Sequence, residues 1–372
     1  LDAIDYRLRS VKRNFNAPFG GVQVLMIGDL FQLPPIVREN EWQVLSRFYP
    51  SMHFFEARVL QESGLVYLEL DKIFRQQDED FIQVLNHLRE NSVTPEDIEL
   101  LNKHFKTQEE IADIKDCITI TTHNYKADQI NRDRLMALKG ESKFYEADIE
   151  NDFPENIYPL PKSLELRVGA QVMFIKNDSS GNQDYFNGKL ATVEELEDDQ
   201  IKVLLEGTRF VYQLRKEDWE NKKYIINPDT KELEEEVIGT FSQYPIKTAW
   251  AVTVHKSQGL TFDQAIIDVG NAFAPGQVYV ALSRLRSLDG LILRTRIQNN
   301  ALQSDSQVQT FVESAQKNSK LDELLGAYQQ RYLSILSGET FDLGGLLQEI
   351  NSFQRKNDSS MEFEKDSSNW NP

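Results

Sequence analysis

Thr253 to Phe262 reads TVHKSQGLTF, and Gly276 to Leu291 reads GQVYVALSRLRSLDGL. The apolar lead-in TAWAVTV has strand character and runs into a short polar segment broken by Gly259. A second apolar strand follows, QAIIDVG from Gln264 to Gly270, and then a helical stretch that carries Arg284 towards its end. Strand, polar loop and arginine-bearing helix are the parts of an α/β domain that handles nucleotides and nucleic acid. Within the loop, Thr253, His255, Lys256 and Ser257 form a cluster of donors suited to sugar-phosphate contacts, which position a strand without reading its bases. His255 has no carboxylate or cysteine at metal spacing, so it is not a zinc ligand.

Upstream the same alternation recurs. Leu1, Ile4, Leu8 and Val11 mark an amphipathic helix that ends at Pro18, Gly20 and Gly21. VQVLMIGD, Val22 to Asp29, predicts a buried strand of the parallel-sheet kind. Pro34 and Pro35 prevent helix and central strand in the loop after it. Asp29 and Gln32 therefore fall just beyond the carboxyl end of a strand, where open α/β sheets bind ligands. A glutamine amide there can donate to a terminal phosphate and accept from an attacking water; an isolated Gly28-Asp29 pair would read as an ordinary polar loop, whereas the whole string GDLFQLPPI points to the ligand site. A helical pattern surrounds Phe54 to Leu60, and LVYLELD predicts a short strand. Arg75 precedes a helix with Phe81, Leu85 and Leu88 on one face. Its planar cation can stabilise charge on a transferring phosphoryl group, or simply pair with Asp78 or Asp80. Arg284 is the same kind of candidate, with Arg286 nearby as a structural ion-pair former. Thr94 caps a helix reaching Phe105 and starting with Pro95. CITITTHN, Cys117 to Asn124, is another strand and polar loop, followed by a helix with Ala127, Ile130 and Leu135.

From about Leu164 the texture changes to short alternating strands between Gly, Asn and Asp turns, which predicts a small antiparallel barrel. The α/β pattern resumes near Ile246 and runs to about Ile297; a helical segment, Ser306 to Leu336, and a polar tail follow. At 372 residues, with 40% apolar, two or more packed domains are expected. No run approaches the ~18–20 apolar residues of a membrane span, and no basic-plus-apolar leader is visible. The single cysteine, Cys117, excludes an intrachain disulfide and points to a reducing, cytoplasmic setting.

The net charge of −18 speaks against nucleic acid only until it is mapped. Thr192 to Glu236 holds 14 acidic and 7 basic residues. Lys247 to Arg296 is basic instead, with Lys247, Lys256, Arg284, Arg286, Arg294 and Arg296 against Asp263, Asp268 and Asp289. Phosphate binding depends on such local charge. No GxxxxGK[ST] occurs, and no apolar strand ends in an Asp-Glu pair. These residues therefore hold no complete nucleotide site.

Together, FGGVQVLMIGDLFQLPPIV, FFEARVL, LELDKIFRQQDEDFIQVLNHLRE, TTHNYKADQINRDRL, LRVGAQVMFIKND, FNGKLATV, TVHKSQGLTFDQAIIDVG and GQVYVALSRLRSLDGLIL resemble the PIF family of helicases, the 5′→3′ branch of superfamily one, and more distantly RecD-type helicases. The resemblance implies an α/β fold: a RecA-like parallel-sheet core with part of a first domain (1–60) and a second domain in two segments (61–163 and 246–298). An SH3-like β-barrel would be inserted at 164–245, with a helical extension at 299–350 and a disordered tail at 351–372. It also implies that the chain begins shortly after the magnesium-binding motif, with the phosphate loop and Mg2+ ligands upstream. Gln32, beside Asp29, would sense the γ-phosphate of ATP, and Arg75 and Arg284 would act as fingers across the cleft. Gly259 would approach the nucleotide, while Thr253, His255, Lys256, Ser257 and Asn124 would hold single-stranded DNA.

The implied partners are single-stranded and fork DNA, with no membrane, and a monomer is favoured in a cytoplasm of bacterial type. DNA repair and telomere maintenance belong to the family and attach to no residue here. The expected function is an ATP-dependent 5′→3′ DNA helicase, present as a fragment; the alternative is a non-catalytic remnant that binds single-stranded nucleic acid.

Overall fold

The computed structural model of the protein describes residues 1–70, 72–112, 114, 117–226, 233–270, 272, 276–298, 305–318 and 321–357. They fall into two units, Leu1–Gly64 with Leu70–Val312, and Leu65–Glu69 with the chain from Glu313 onward.

The first unit opens with helix α1 (Asp2–Lys12), which has Asp2 and Asp5 in its first turn and Arg9 and Lys12 in its last, as the helix dipole favours. Leu1 and Leu8 pack with Phe19, Ala57, Val59 and Leu60, whereas Ile4 and Val11 stay exposed. Asp2 accepts from the backbone N–H groups of Arg58 and Val59 and from the Tyr49 hydroxyl, fastening the helix to residues 58–59. Val22 to Asp29 does not form the expected buried strand. It is neither helix nor strand, and Leu25 and Ile27 are 77% and 90% exposed. A strand needs neighbours for its ladder, and none of the described residues pairs with it.

Helix α2 (Glu39–Leu45) was not anticipated; the Arg38 N–H donates to the Glu41 carboxylate at its start. Then come α3 (Arg58–Ser63) and α4 (Glu79–Arg89), the latter capped by Asp78, which accepts from Phe81 N at 3.1 Å. Phe81, Leu85 and Leu88 are buried as their spacing predicts. In α5 (Pro95–Asn102), Thr94 and Asp97 form a capping box, with His87 Nδ1 at 2.7 Å from the same carboxylate. Helix α6 (Gln108–Ala112), strand β1 (Ile118–Thr121) and α7 (Asn124–Ala137) complete this stretch.

Antiparallel pairing already begins at β2 (Lys143–Glu146) and β3 (Asp148–Asn151). It continues through β4 (Ser163–Leu166), β5 (Gln171–Phe174), β6 (Leu190–Leu196), β7 (Ile201–Leu205) and β8 (Val211–Gln213). The last members are β9 (Glu217–Ile226), β10 (Leu233–Gln243) and β11 (Ile246–Thr248). The sheets run β11-β5-β6-β7-β8, β3-β10-β9 and β2-β4. Leu166, Val172, Phe174, Ile201, Val203 and Ile246 lie in a core of their own.

The chain then returns through β12 (Ala251–Thr253), β13 (Ala265–Asp268), α8 (Gln277–Leu282) and β14 (Leu291–Leu293). These strands form a parallel sheet with β1 in the order β12-β1-β13-β14, with Thr121 opposite both Thr253 and Asp268. The buried, Ile- and Val-rich strands fit a sheet covered on both faces. Phe105 bridges Leu293 in parallel beyond β14. Helix α9 (Ser306–Asn318) buries Val308 and Val312. Its Phe311 stacks on Phe55 at 4.3 Å, while His53 Nε2 lies 2.9 Å from Asp305 Oδ2.

In the second unit, α10 (Leu321–Thr340) and α11 (Gly344–Asn357) follow. Asn351 to Asn357 are helical where a disordered tail was expected, and 358–372 lie outside the described residues. Leu65 to Leu70 carry no ladder, so the short strand expected there is not formed. No helix among the described residues is long and apolar enough to cross a membrane.

Candidate nucleotide and nucleic-acid site

The carboxyl ends of β12, β1, β13 and β14 share one edge of the parallel sheet, and the site is assembled beside that edge. Asp29 builds an Asx turn: its Oδ1 accepts from Phe31 N at 3.0 Å, and its Oδ2 accepts from Gln32 Nε2 at 3.0 Å. The turn is held from outside. The Arg89 guanidinium lies 5.5 Å from the centre of the Phe31 ring, and the Tyr279 hydroxyl donates to Asp29 Oδ2 at 3.4 Å. Gly276, at φ +76°, starts α8 so close to the turn that a Cβ there would sit 2.5 Å from the Gln32 carbonyl oxygen. Finally, Gln258 Nε2 donates to Gln32 Oε1 at 3.2 Å. Both ends of the Gln32 amide are thus engaged, one by Asp29 and one by the loop after β12.

Arg284 sits just past α8 and is 2% exposed. Its Nε donates to Val280 O at 3.0 Å, Nη1 to Leu260 O at 3.4 Å and Nη2 to Ser283 Oγ at 2.8 Å. All three acceptors are neutral. Burial, and then the neighbouring Arg75 cation, pull the Arg284 pKa down to about 10, against the opposing pull of Tyr279 and Asp29. Arg75 Nη1 donates to Ser283 O at 3.0 Å, and the buried Gln76 amide donates to Ser283 O and Leu285 O. The surface ion pair with Asp78 or Asp80 is not what Arg75 makes; Asp78 instead caps α4 and accepts from Leu288 N at 3.1 Å. Burial pushes the Tyr279 hydroxyl up to about 12, with Asp29 adding to the shift, so it stays a donor at neutral pH. Arg286 pairs with Asp263 at 3.1 Å on the surface.

The loop after β12 separates inward from outward groups. Thr253 Oγ1 accepts from Lys256 N at 3.4 Å and is buried. Ser257 is fully buried and donates to Val254 O at 2.8 Å. These two hydroxyls therefore shape the loop, while Lys256 is exposed and His255 half-buried. Gly259, at φ +80°, turns the chain with open space where a Cβ would stand. Asn124 is exposed at the start of α7, beside a His123–Tyr125 ring pair at 5.4 Å.

The sequence reading of the site missed Gln258, Tyr279 and Gln76, and took Lys247 only as part of a basic stretch. Lys247, on β11, has its pKa lowered by burial and by the nearby Lys256 cation. Gln258 and Tyr279 stood inside the quoted strings, yet their partners lie 226 and 250 residues away, beyond any local pattern. No group of three or more His, Cys, Asp or Glu among the described residues is placed to hold a metal ion.

A model of the PIF1-like helicases matches residues 1–98. The ATP-dependent DNA helicase Pif1 of Psychrobacter sp. (strain PRwf-1) is 30% identical over 350 residues, covering 79% of this chain and 51% of that protein. The chain thus spans about half the length of the curated relatives it matches. The crystal structure of Bacteroides sp Pif1 in complex with ADP-AlF4 is 40% identical, with a TM-score of 0.75 over 85% of this chain and 72% of that one. The Bacteroides Pif1 structure bound to ssDNA, also 40% identical, gives a TM-score of 0.62 over 84% and 71%. With the fold RecA-like, the Asp29–Gln32 turn seated on α8 and identity of this extent, the chain belongs to the PIF1-like helicase family.

Proposed function

We propose that these residues work in an ATP-dependent 5′→3′ DNA helicase, as the arginine side of its nucleotide cleft and as part of its grip on single-stranded DNA. The observation that carries this reading is Arg284: a buried guanidinium with only neutral acceptors, next to Arg75 and the Asp29–Gln32 turn. A buried cation without a carboxylate in contact is costly, and an incoming phosphate would offset that cost. The donor set fits the phosphoryl end of a nucleotide. It does not fit Mg2+, whose ligands we place outside these residues.

ATP supplies the phosphoryl group whose transfer to water releases the energy for stepping. Arg284 and Arg75 stabilise the charge that builds on that group. Gln32 orients the attacking water once its amide is released by Asp29 and Gln258. Because Gln258 belongs to the loop that carries Lys256, a strand phosphate drawn to Lys256 shifts Gln258 and frees Gln32. That gives strand binding a direct route to hydrolysis. His255, Lys256 and Asn124 touch the strand, and Thr253 and Ser257 act through the shape of the loop. We include single strands at forks among the substrates, and a cytoplasmic monomer as the working form.

The test joins a phosphate-loop segment upstream of Leu1 and compares Arg284→Ala with the parent. Hydrolysis should fall about a thousandfold or more with single-strand affinity retained; unchanged hydrolysis removes the finger role. A second reading, a non-catalytic strand binder, is favoured by the lack of any GxxxxGK[ST] in these 372 residues. It predicts strand binding with no magnesium-dependent ATP turnover by the chain as it stands, and robust turnover would exclude it.

A further inference from the structure

The sheet edge that carries the Lys256 loop continues past β13 and β14 into a cleft of about 450 Å³. Val269, Ala272, Val278 and Ile297 give it an apolar floor, and Arg294, Arg296, Gly270 and Thr295 line its polar side. Three features make it a site rather than a gap. First, Arg294 and Arg296 make no ion pair among the described residues, on a chain with a net charge of −18. Second, the Arg296 guanidinium lies 4.5 Å from the centre of the Phe105 ring, which pre-orients a planar cation at the rim. Third, Phe105 is fixed rigidly at the sheet edge: Leu293 N donates to His104 O at 2.9 Å, and Lys106 N donates to Leu293 O at 2.9 Å. Lys106, whose backbone makes the second of these bonds, is itself exposed.

We infer that this cleft is a second contact for single-stranded nucleic acid, separate from the Lys256 loop. It would take one nucleotide unit, with phosphate on Arg294 and a base over the Arg296–Phe105 pair. A cleft at the carboxyl ends of parallel strands is where open α/β sheets take ligands. Its size suits one small ligand, and cation plus ring is the combination that holds single strands without reading sequence. From β12 to β14 is three strand spacings, about 14 Å, so one strand can reach both contacts. The inference rests on the strand-binding reading proposed above and adds a location to it.

The experiment titrates labelled thymidine oligomers of increasing length into the 372-residue chain at several salt concentrations. The pair Arg294→Gln with Arg296→Gln should leave the shortest binding oligomers unaffected and weaken longer ones about tenfold. It should also lower the slope of log affinity against log salt by about 0.7, the amount for one phosphate contact on a single strand. Phe105→Leu should weaken only the longer oligomers and keep the slope, because it removes the ring and leaves the charge. Thermal unfolding of each variant confirms that the sheet is intact. If the arginine pair binds every length like the parent while Lys256→Ala is weakened, the cleft lies off the strand path and the inference fails. If the parent binds no oligomer at all, the strand-binding reading fails with it.

Discussion

At the scale of single residues, the loop after β12 divides its polar groups between two jobs. Ser257 is fully buried with its hydroxyl donated to Val254 O, whereas Lys256 is exposed. Ser257→Ala should therefore cost about 0.5–1.5 kcal/mol of stability, the net worth of one buried hydrogen bond, because Val254 O still accepts from Ser257 N. Lys256→Ala should leave the unfolding transition in place and weaken single-strand binding equally for all sequences. Unfolding curves and anisotropy titrations on both variants check the division; a stability loss for Lys256→Ala alone would reverse it. Arg284 adds the converse case. It is buried as a cation among neutral acceptors, so Arg284→Met should be at least as stable as the parent even as the proposed function is lost. A lower midpoint of thermal unfolding for the Met variant would count against the idea of an uncompensated charge.

At the scale of elements, two junctions hold the site in place. Helix α5 is tied down by Asp97, which accepts from Thr94 N and Thr94 Oγ1 and lies against His87. Burial alone would raise its pKa, but the Thr94 backbone, His87 and the Thr94 hydroxyl together bring it below the usual aspartate value. A lowered folded-state pKa means stability that is present above the unfolded value of 3.8 and lost as pH falls through the folded one. Asp97→Ala should cost about 1–2 kcal/mol at pH 7 and flatten the acid limb of the stability profile below about pH 4. The second junction is Gly276, where φ is +76° and a Cβ would press on the Gln32 and Phe31 carbonyls. Gly276→Ala should cost about 1–3 kcal/mol and displace the Gln32 turn from α8. Protease sensitivity of residues 28–36 would report the displacement.

At the scale of the whole molecule, the parallel sheet and the antiparallel strands each have a core, while one apolar segment packs only Val22 and Met26 against the cluster around Phe19. Val22 to Asp29 is strand-like in composition but unpaired, with Leu25 and Ile27 exposed. An open apolar segment of this kind is a template for pairing with other chains. Leu25→Lys with Ile27→Lys should reduce light scattering of the chain without moving its unfolding midpoint; unchanged scattering would place the sticky surface elsewhere. Much of this architecture was readable beforehand. Val-, Ile- and Ala-rich runs announced β1, β12 and β13, the Thr94-Pro95 start announced α5, and the ordered motifs announced the family. Those signals are local, because period, caps and turn chemistry act within a few residues of chain. The same local logic placed strands at Val22–Asp29 and in LVYLELD, where apolar composition is present and pairing partners are not. By itself, then, the sequence determined the α/β alternation, the family and the candidate residues Asp29, Gln32, Arg75 and Arg284. Only the tertiary structure decided that Gln258 and Tyr279 hold the Gln32–Asp29 turn, that Ser257 faces inward, and that Arg294 and Arg296 share a cleft with Phe105. Contacts across two hundred residues and more depend on how the sheet is closed and packed, which no periodicity along the chain encodes.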